Sequence, residues 1–275
     1  MSKPTKYTIS ISYISIITGD NIYQKKRDFL LQFWKKTDPE DFKTYCELTK
    51  FQIKNEFEKI QEISKKNNIN VQSELTKCIQ SKNIEDLTQK KEKILEKVKD
   101  LSKEDQKKIT DSILNVSNTN FGIKNETNVL NVYQNCTHTN IVKDDKYKTK
   151  QIYDCKDYKI ILGGKIDGIN VEDGTIIEIK NRMKRLFHEL RSYEKVQLMC
   201  YLHIFEASKG HLVEALKKEK KVDINIIECL YDKEYMESIL IDIKQFIDFY
   251  RLFITNHKMK LELIQNEDKD IEFYI

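Results

Sequence analysis

Apolar and polar residues alternate singly over residues 8–14, where Ile9, Ile11 and Tyr13 interleave with Thr8, Ser10 and Ser12. A period of two is that of a half-buried strand. The period changes over 23–35, where Phe29, Leu30, Phe33 and Trp34 fall at helical spacing. From about 38 to 115 the chain is rich in Lys and Glu, nearly free of glycine and helix-permissive; Ile84, Leu87, Ile94, Leu95, Val98 and Leu101 form an apolar stripe within it. Another helix is expected over 121–134. Residues 141–162 then bring β-favouring positions (Tyr147, Ile152, Tyr153, Tyr158, Ile160, Ile161). The segments KIILGGKIDGIN and TIIEIKN read as two strands meeting at a turn over 171–174. A helix over 188–206, strands in HLVEAL and VDINIIECL, and a helix near 233–255 complete the pattern; the last carries Met236, Ile239, Leu240, Ile243, Phe246, Ile247 and Tyr250 on one face. This succession predicts a layered α/β or α+β fold.

Composition narrows the function classes. The chain has 275 residues, enough for one or two domains, and its hydrophobic fraction of 39% is too high for a disordered protein. No apolar run approaches the ~18 residues of a membrane span, and the N-terminus has neither the apolar core nor the cleavage site of a secretory signal. The six cysteines are widely spaced without a C-x-x-C pair, which argues against a zinc knuckle and for reduced thiols in an intracellular compartment such as cytoplasm, nucleus or viral factory. Net charge is only +4, so any nucleic-acid site must come from local clustering. Such clusters exist. Residues 180–195 hold six Lys or Arg (Lys180, Arg182, Lys184, Arg185, Arg191, Lys195) against Glu189 and Glu194, and residues 1–35 add Lys25, Lys26 and Arg27. The block 36–115 is nearly balanced, with 17 Lys against 16 acidic residues.

Four of the seven glycines (Gly163, Gly164, Gly168 and Gly174) fall within twelve positions, marking sharp turns around the two strands. Strand alternation in TIIEIKN sends Glu178 and Lys180 to one face and Ile177 and Ile179 to the other. Asp167 lies near the end of the partner strand, so pairing would bring two carboxylates together. Each would raise the other's pKa unless a cation neutralised them, and Mg²⁺, with its preference for oxygen ligands, suits two carboxylates and a backbone carbonyl. Lys180 beside them could orient or deprotonate an attacking water. The chemistry suggested is metal-assisted hydrolysis of a phosphodiester. Each residue alone is more often ordinary: Asp before Gly is usually a turn residue, and Glu-x-Lys a solvated face.

The arrangement IDG at 166–168 followed by EIK at 178–180 resembles the PD-(D/E)XK nuclease superfamily, with Ile166 where the motif has proline. Three further segments resemble its lambda-exonuclease branch, which includes YqaJ-type viral recombinases and RecB-like nucleases. QLMCY at 197–201 matches a Q-x-x-x-Y motif, with Gln197 and Tyr201 one helical turn apart, Val196, Met199, Cys200 and His203 being expected core. GIKNE at 122–126 matches a G-x-x-x-E segment ending in Glu126. The opening from Ser12 to Tyr23 matches the branch's N-terminal motif and implies a helix starting near Ser12, against the alternation there.

The resemblance covers about 1–35 and 116–255. It implies a restriction-endonuclease-like core, a mixed central sheet flanked by helices, formed by 1–35 and 116–275, with 36–115 as a helical insertion. It implies an enzyme that hydrolyses DNA with Mg²⁺ (or Mn²⁺), foremost a 5′-to-3′ exonuclease on double-stranded ends serving recombination, replication or repair. Asp167, Glu178, the Ile179 carbonyl and Glu126 would hold metal. Lys180 would act on the attacking water, and Gln197 and Tyr201 would hold the strand. Ser12, Arg27, Arg182, Lys184, Arg185 and Arg191 would contact DNA. The same resemblance accommodates a homo-oligomer and a recombination partner protein, with no membrane contact. Two alternatives stand beside it: a structure- or site-specific endonuclease, and a catalytically silent DNA-binding scaffold.

Overall fold

The computed structural model describes residues 4–81, 84–143, 146–218, 221–267 and 271–273; the side chains of 79, 84, 117–125 and 218 lie outside the description. Strand β1 (Thr5–Ser10) passes through a 3-10 turn (Ile11–Tyr13) into α1 (Ile14–Ile17). The alternation over 8–14 therefore holds only to Ser10. Beyond it Ile11, Ile14, Ile16 and Ile17 are all buried, which a strand with one solvated face could not achieve and a short helix embedded in the core can. Next come α2 (Lys26–Thr37), α3 (Pro39–Thr49), α4 (Glu56–Lys66), α5 (Gln72–Ile79), α6 (Ile84–Lys97) and the long α7 (Lys103–Thr137). The rest is β2 (Ile141–Val142), β3 (Lys148–Asp154), β4 (Tyr158–Gly164), β5 (Gly168–Asn170), β6 (Ile176–Arg182), α8 (Ser192–Phe205), β7 (Lys209–Lys218), β8 (Lys221–Leu230), α9 (Lys233–Thr255) and α10 (His257–Gln265).

The strands form two mixed sheets flanked by helices, in the orders β1-β4-β3 and β2-β5-β6-β7-β8. β1 runs parallel to β4, and β6 parallel to β7; the remaining pairs are antiparallel. The segment KIILGGKIDGIN, read as one strand, splits between the sheets. β4 ends at Gly164 in the first, and β5 begins at Gly168 in the second. The glycines make the crossing feasible. A Cβ on Gly164 would stand 2.6 Å from the Tyr201 ring, and one on Gly168 2.8 Å from Ile141 Cγ2. The β5–β6 turn closes through Gly174, whose φ of +73° is left-handed, while the Asp173 carboxylate accepts from the Thr175 N–H at 3.0 Å.

Three apolar clusters result. The largest packs α1, α2, α8 and α9 on β1 and β4, with Trp34, Phe246 and Tyr250 fully buried. α3 joins it through Phe42 and Tyr45, although α3 falls within 36–115. A second cluster joins Ile60, Ile63, Leu75, Leu87, Ile94, Val98, Ile109 and Ile113 of α4 to α7, with Met183 packed against it just beyond β6. The third sets Val129, Leu130 and Tyr133 of α7 against Ile177 and Ile179 of β6 and Val213 of β7. One long helix thus spans from the helical block to the strand that carries the acid residues. No helix among the described residues is long and apolar enough to cross a membrane, and the six cysteines are free thiols.

Candidate active site

β6 is buried on both faces, and its alternation separates two kinds of chemistry. Ile177 and Ile179 enter the apolar cluster under α7. On the other face Glu178 is only 6% exposed, and its Oε1 accepts from Lys180 Nζ at 2.8 Å. Asp167 arrives from the link between β4 and β5, and its Oδ2 accepts from the Ile179 backbone N–H at 2.7 Å. That bond anchors the aspartate to β6 beside Glu178, the arrangement the strand spacing predicts.

The electrostatics follow from burial. Desolvation raises the Glu178 pKa to about 7; Lys180 opposes the shift, and the charges of Asp167 and Glu126 add to it. Asp167 is also raised by burial, tempered by the Ile179 N–H and by Lys180, Lys143 and Lys165. Burial would lower the Lys180 ammonium, but Glu178 outweighs it and its pKa rises. Lys180 is thus held between the Glu178 carboxylate and Gln197.

α8 supplies the second wall. Gln197 Oε1 accepts from Lys180 Nζ at 2.8 Å, and Gln197 Nε2 donates to the Tyr201 hydroxyl at 3.3 Å. Gln197 and Tyr201 thus share one face, with Tyr201 buried and its hydroxyl pushed up by desolvation and then by Glu178. Val196, Met199 and Cys200 are core. His203 is half-buried, with its pKa lowered by burial, and its Nδ1 lies 2.9 Å from the Tyr231 hydroxyl.

Glu126 stands beside the pair, 4.0 Å from Lys143 Nζ; the remainder of its motif, 122–125, lies outside the described side chains. Among the described residues no three acidic, histidine or cysteine side chains converge closely enough to hold an ion. Of the four-donor set implied by the resemblance, Asp167 and Glu178 are both tied to β6, and the charge of Glu126 reaches Glu178.

Two arginines expected on DNA have other partners. Arg182, its side chain 10% exposed, donates from Nε to Glu214 Oε1 at 2.8 Å and from both terminal nitrogens to the Glu194 carboxylate at 2.8 and 3.0 Å. Arg27, 6% exposed, donates to the Leu263 and Ile264 carbonyls at 2.9 and 3.2 Å and so ties α2 to α10. Lys184 and Arg185 are exposed, as is Ser12, whose Oγ lies 3.0 Å from Ser10 Oγ at the end of β1. Arg191 is half-buried, 3.5 Å over the Phe187 ring, and bonded to the Tyr23 hydroxyl at 3.1 Å.

Sequence reasoning missed Glu214 and the positioning role of Glu194. Glu214 is 0% exposed and accepts from the Phe187 and His188 N–H groups as well as from Arg182 and Asn225. These bonds outweigh its desolvation and hold its pKa low. A signal existed: in HLVEAL the glutamate shares a face with Leu212 and Leu216, an inner position that a carboxylate occupies only with a partner. Lys143 and Lys165, near enough to act on Asp167, were also missed.

No known family profile matches the chain, and no curated protein matches it. It is similar to several solved structures. SSO0001 is 18% identical, with a TM-score of 0.36 over 66% of this chain and 86% of that one. A phage related exonuclease from Haemophilus somnus 129PT is 12% identical, with a TM-score of 0.39 over 50% of this chain and 72% of the other. The alkaline exonuclease LHK-Exo from Laribacter hongkongensis is 15% identical, with a TM-score of 0.39 over 51% and 72%.

Proposed function

We propose that this chain is a divalent-metal-dependent DNA nuclease of the PD-(D/E)XK kind, acting as a 5′-to-3′ exonuclease on double-stranded ends. One observation carries the reading: three separate segments converge on β6, Asp167 held by the Ile179 N–H, and Glu178 and Gln197 both held by Lys180. The polarity and the preference for ends come from the sequence resemblance.

The residues fit Mg²⁺. Burial pushes the pKa of both carboxylates upward, and the charge of Asp167 adds to the rise of Glu178, a cost that a hard cation with oxygen ligands relieves. Asp167, Glu178 and the Ile179 carbonyl would hold the ion, with Glu126 nearby. When bound it supplies charge neutralisation and polarisation of the scissile phosphate. The chain's own residues do the rest. Lys180 keeps its proton on Nζ through Glu178 and presents a fixed positive charge to the attacking water and the phosphate. Gln197 restrains that ammonium, and Tyr201 restrains Gln197. The exposed Lys184 and Arg185 meet backbone phosphates, a salt-dependent contribution. In the same reading residues 36–115 are a helical insertion into the nuclease fold.

The test is end-labelled linear duplex with Mg²⁺, beside closed circular DNA, EDTA and Asp167→Ala. We expect stepwise loss from the 5′ end, no cutting of the circle, and a fall of about 10²–10³-fold or more in Asp167→Ala. Cutting of the circle would make it an endonuclease, and unaltered cleavage by Asp167→Ala would refute the site.

A further inference from the structure

The loop between α1 and α2 ends in a tip that contributes little to packing: Ile22 is 82% and Tyr23 66% exposed. The Tyr23 ring is nevertheless held. Its hydroxyl accepts from Arg191 at 3.1 Å, and its ring meets Tyr193 edge to face, with centroids 5.8 Å apart and planes at 87°. Arg191 is itself braced, 3.5 Å over the Phe187 ring. The Phe187 backbone N–H in turn donates to the buried Glu214. An exposed aromatic ring on a loop is ordinarily mobile; this one is fixed through a chain of contacts reaching the core.

Its position along α8 gives the fixation a purpose. Tyr193, Gln197 and Tyr201 are spaced by four residues and so follow one side of the helix, each step advancing about 6 Å. Gln197 holds Lys180. The Tyr23–Tyr193 pair thus stands one helical turn beyond the residue that touches the acid site. The loop between β6 and α8, which also holds Phe187, carries the exposed cations Lys184 and Arg185.

We propose that Tyr23 and Tyr193 form a nucleobase-stacking subsite that takes an unpaired base of the DNA strand whose phosphate lies at the acid pair. Arg191 fixes the rings, and Lys184 and Arg185 face the neighbouring phosphates. The proposal rests on the nuclease reading. Its ligand follows from its chemistry: an aromatic face beside cations recognises the face of a base irrespective of sequence. A base inside a duplex offers only its edges, so the subsite selects frayed or single-stranded termini.

The experiment uses a duplex with a short single-stranded 5′ end carrying 2-aminopurine, mixed with the full-length protein in EDTA so that nothing is cut. Wild type should quench the fluorophore. Tyr23→Ala should lose the quench and bind about tenfold more weakly, while Tyr23→Phe, which keeps the ring, should retain both. An end with an abasic site in place of the fluorophore should bind wild type and Tyr23→Ala alike. The exposure of Tyr23 makes unfolding of the variant improbable, and circular dichroism checks it. Absence of quenching by wild type overturns the subsite, as does equal affinity of Tyr23→Ala for the 2-aminopurine end. Parallel cleavage of the same DNA in Mg²⁺ separates the two ideas: cutting without quenching sinks the subsite alone, and quenching without cutting sinks the nuclease reading alone.

Discussion

The helical core between α4 and α7 and the acid-bearing hairpin with α8 treat charge in opposite ways. In the helical core the buried side chains are mostly apolar, Asp105 and Ser112 being the buried polar ones, and ion pairs such as Lys97–Glu74, Lys90–Asp86 and Lys59–Glu56 sit toward solvent. Around β6, Glu178, Glu194 and Glu214 are 6, 1 and 0% exposed, with Lys180 and Arg182 committed to them. Burying ions is costly even when they are paired, so a chain able to build a mostly apolar core nearby has concentrated buried charge here against its own stability. The contrast separates a region organised for folding from one organised for chemistry.

The largest break in that contrast should come from Arg182→Ala. It would strand two buried carboxylates and cost about 3–5 kcal/mol in a urea titration, with cleavage lost as the end of β6 and the start of α8 separate. A cost below about 1 kcal/mol would mean that water reaches the pair. In the helical core, Ile94→Ala should cost about 2–5 kcal/mol by leaving a cavity. The cleavage rate per folded molecule should stay at the wild-type level; a fall would show that α7 or Met183 transmits the disturbance to β6.

A smaller effect sharpens the electrostatic side. With the folded pKa of Glu178 raised from 4.5 to about 7, the folded state holds a proton that the unfolded state has already released between those values. Stability without metal should therefore fall as pH rises through that window. Mg²⁺ must displace the same proton, so its apparent affinity should rise by up to about tenfold per unit below pH 7 and level off above. Calorimetric titrations across that range would check it, and a flat profile would mean that the carboxylates are already ionised. The smallest effect is expected from Lys97→Ala, whose half-exposed ion pair with Glu74 should contribute no more than about 1 kcal/mol to the thermal midpoint.

Much of the fold was legible locally. The apolar face near 233–255 became α9 at Lys233–Thr255, and the stripe over 84–101 placed Leu87, Ile94 and Val98 in the helical core, the side chain of Ile84 lying outside the description. The boundaries failed where tertiary burial overrode a period. The alternation after Ser10 gave way to the buried helical segment that the resemblance, not the period, placed near Ser12, and the strand around Gly163 and Gly164 divided between two sheets. Charge clustering was the weakest guide: of the cations read as DNA contacts, Arg27 and Arg182 are internal struts.

By itself the sequence determined that Glu178 and Lys180 share a face, and that Gln197 and Tyr201 stand one turn apart, because both follow from the repeat of the local backbone. Only the tertiary structure decided what those side chains meet. Asp167 reaches β6 through a backbone bond twelve residues away, Arg182 finds Glu214 thirty-two residues on, and Arg27 finds the Leu263 carbonyl 236 residues on. A cation's role depends on which acceptor the fold brings to it and on whether water remains between them. Neither is encoded in its immediate neighbours along the chain.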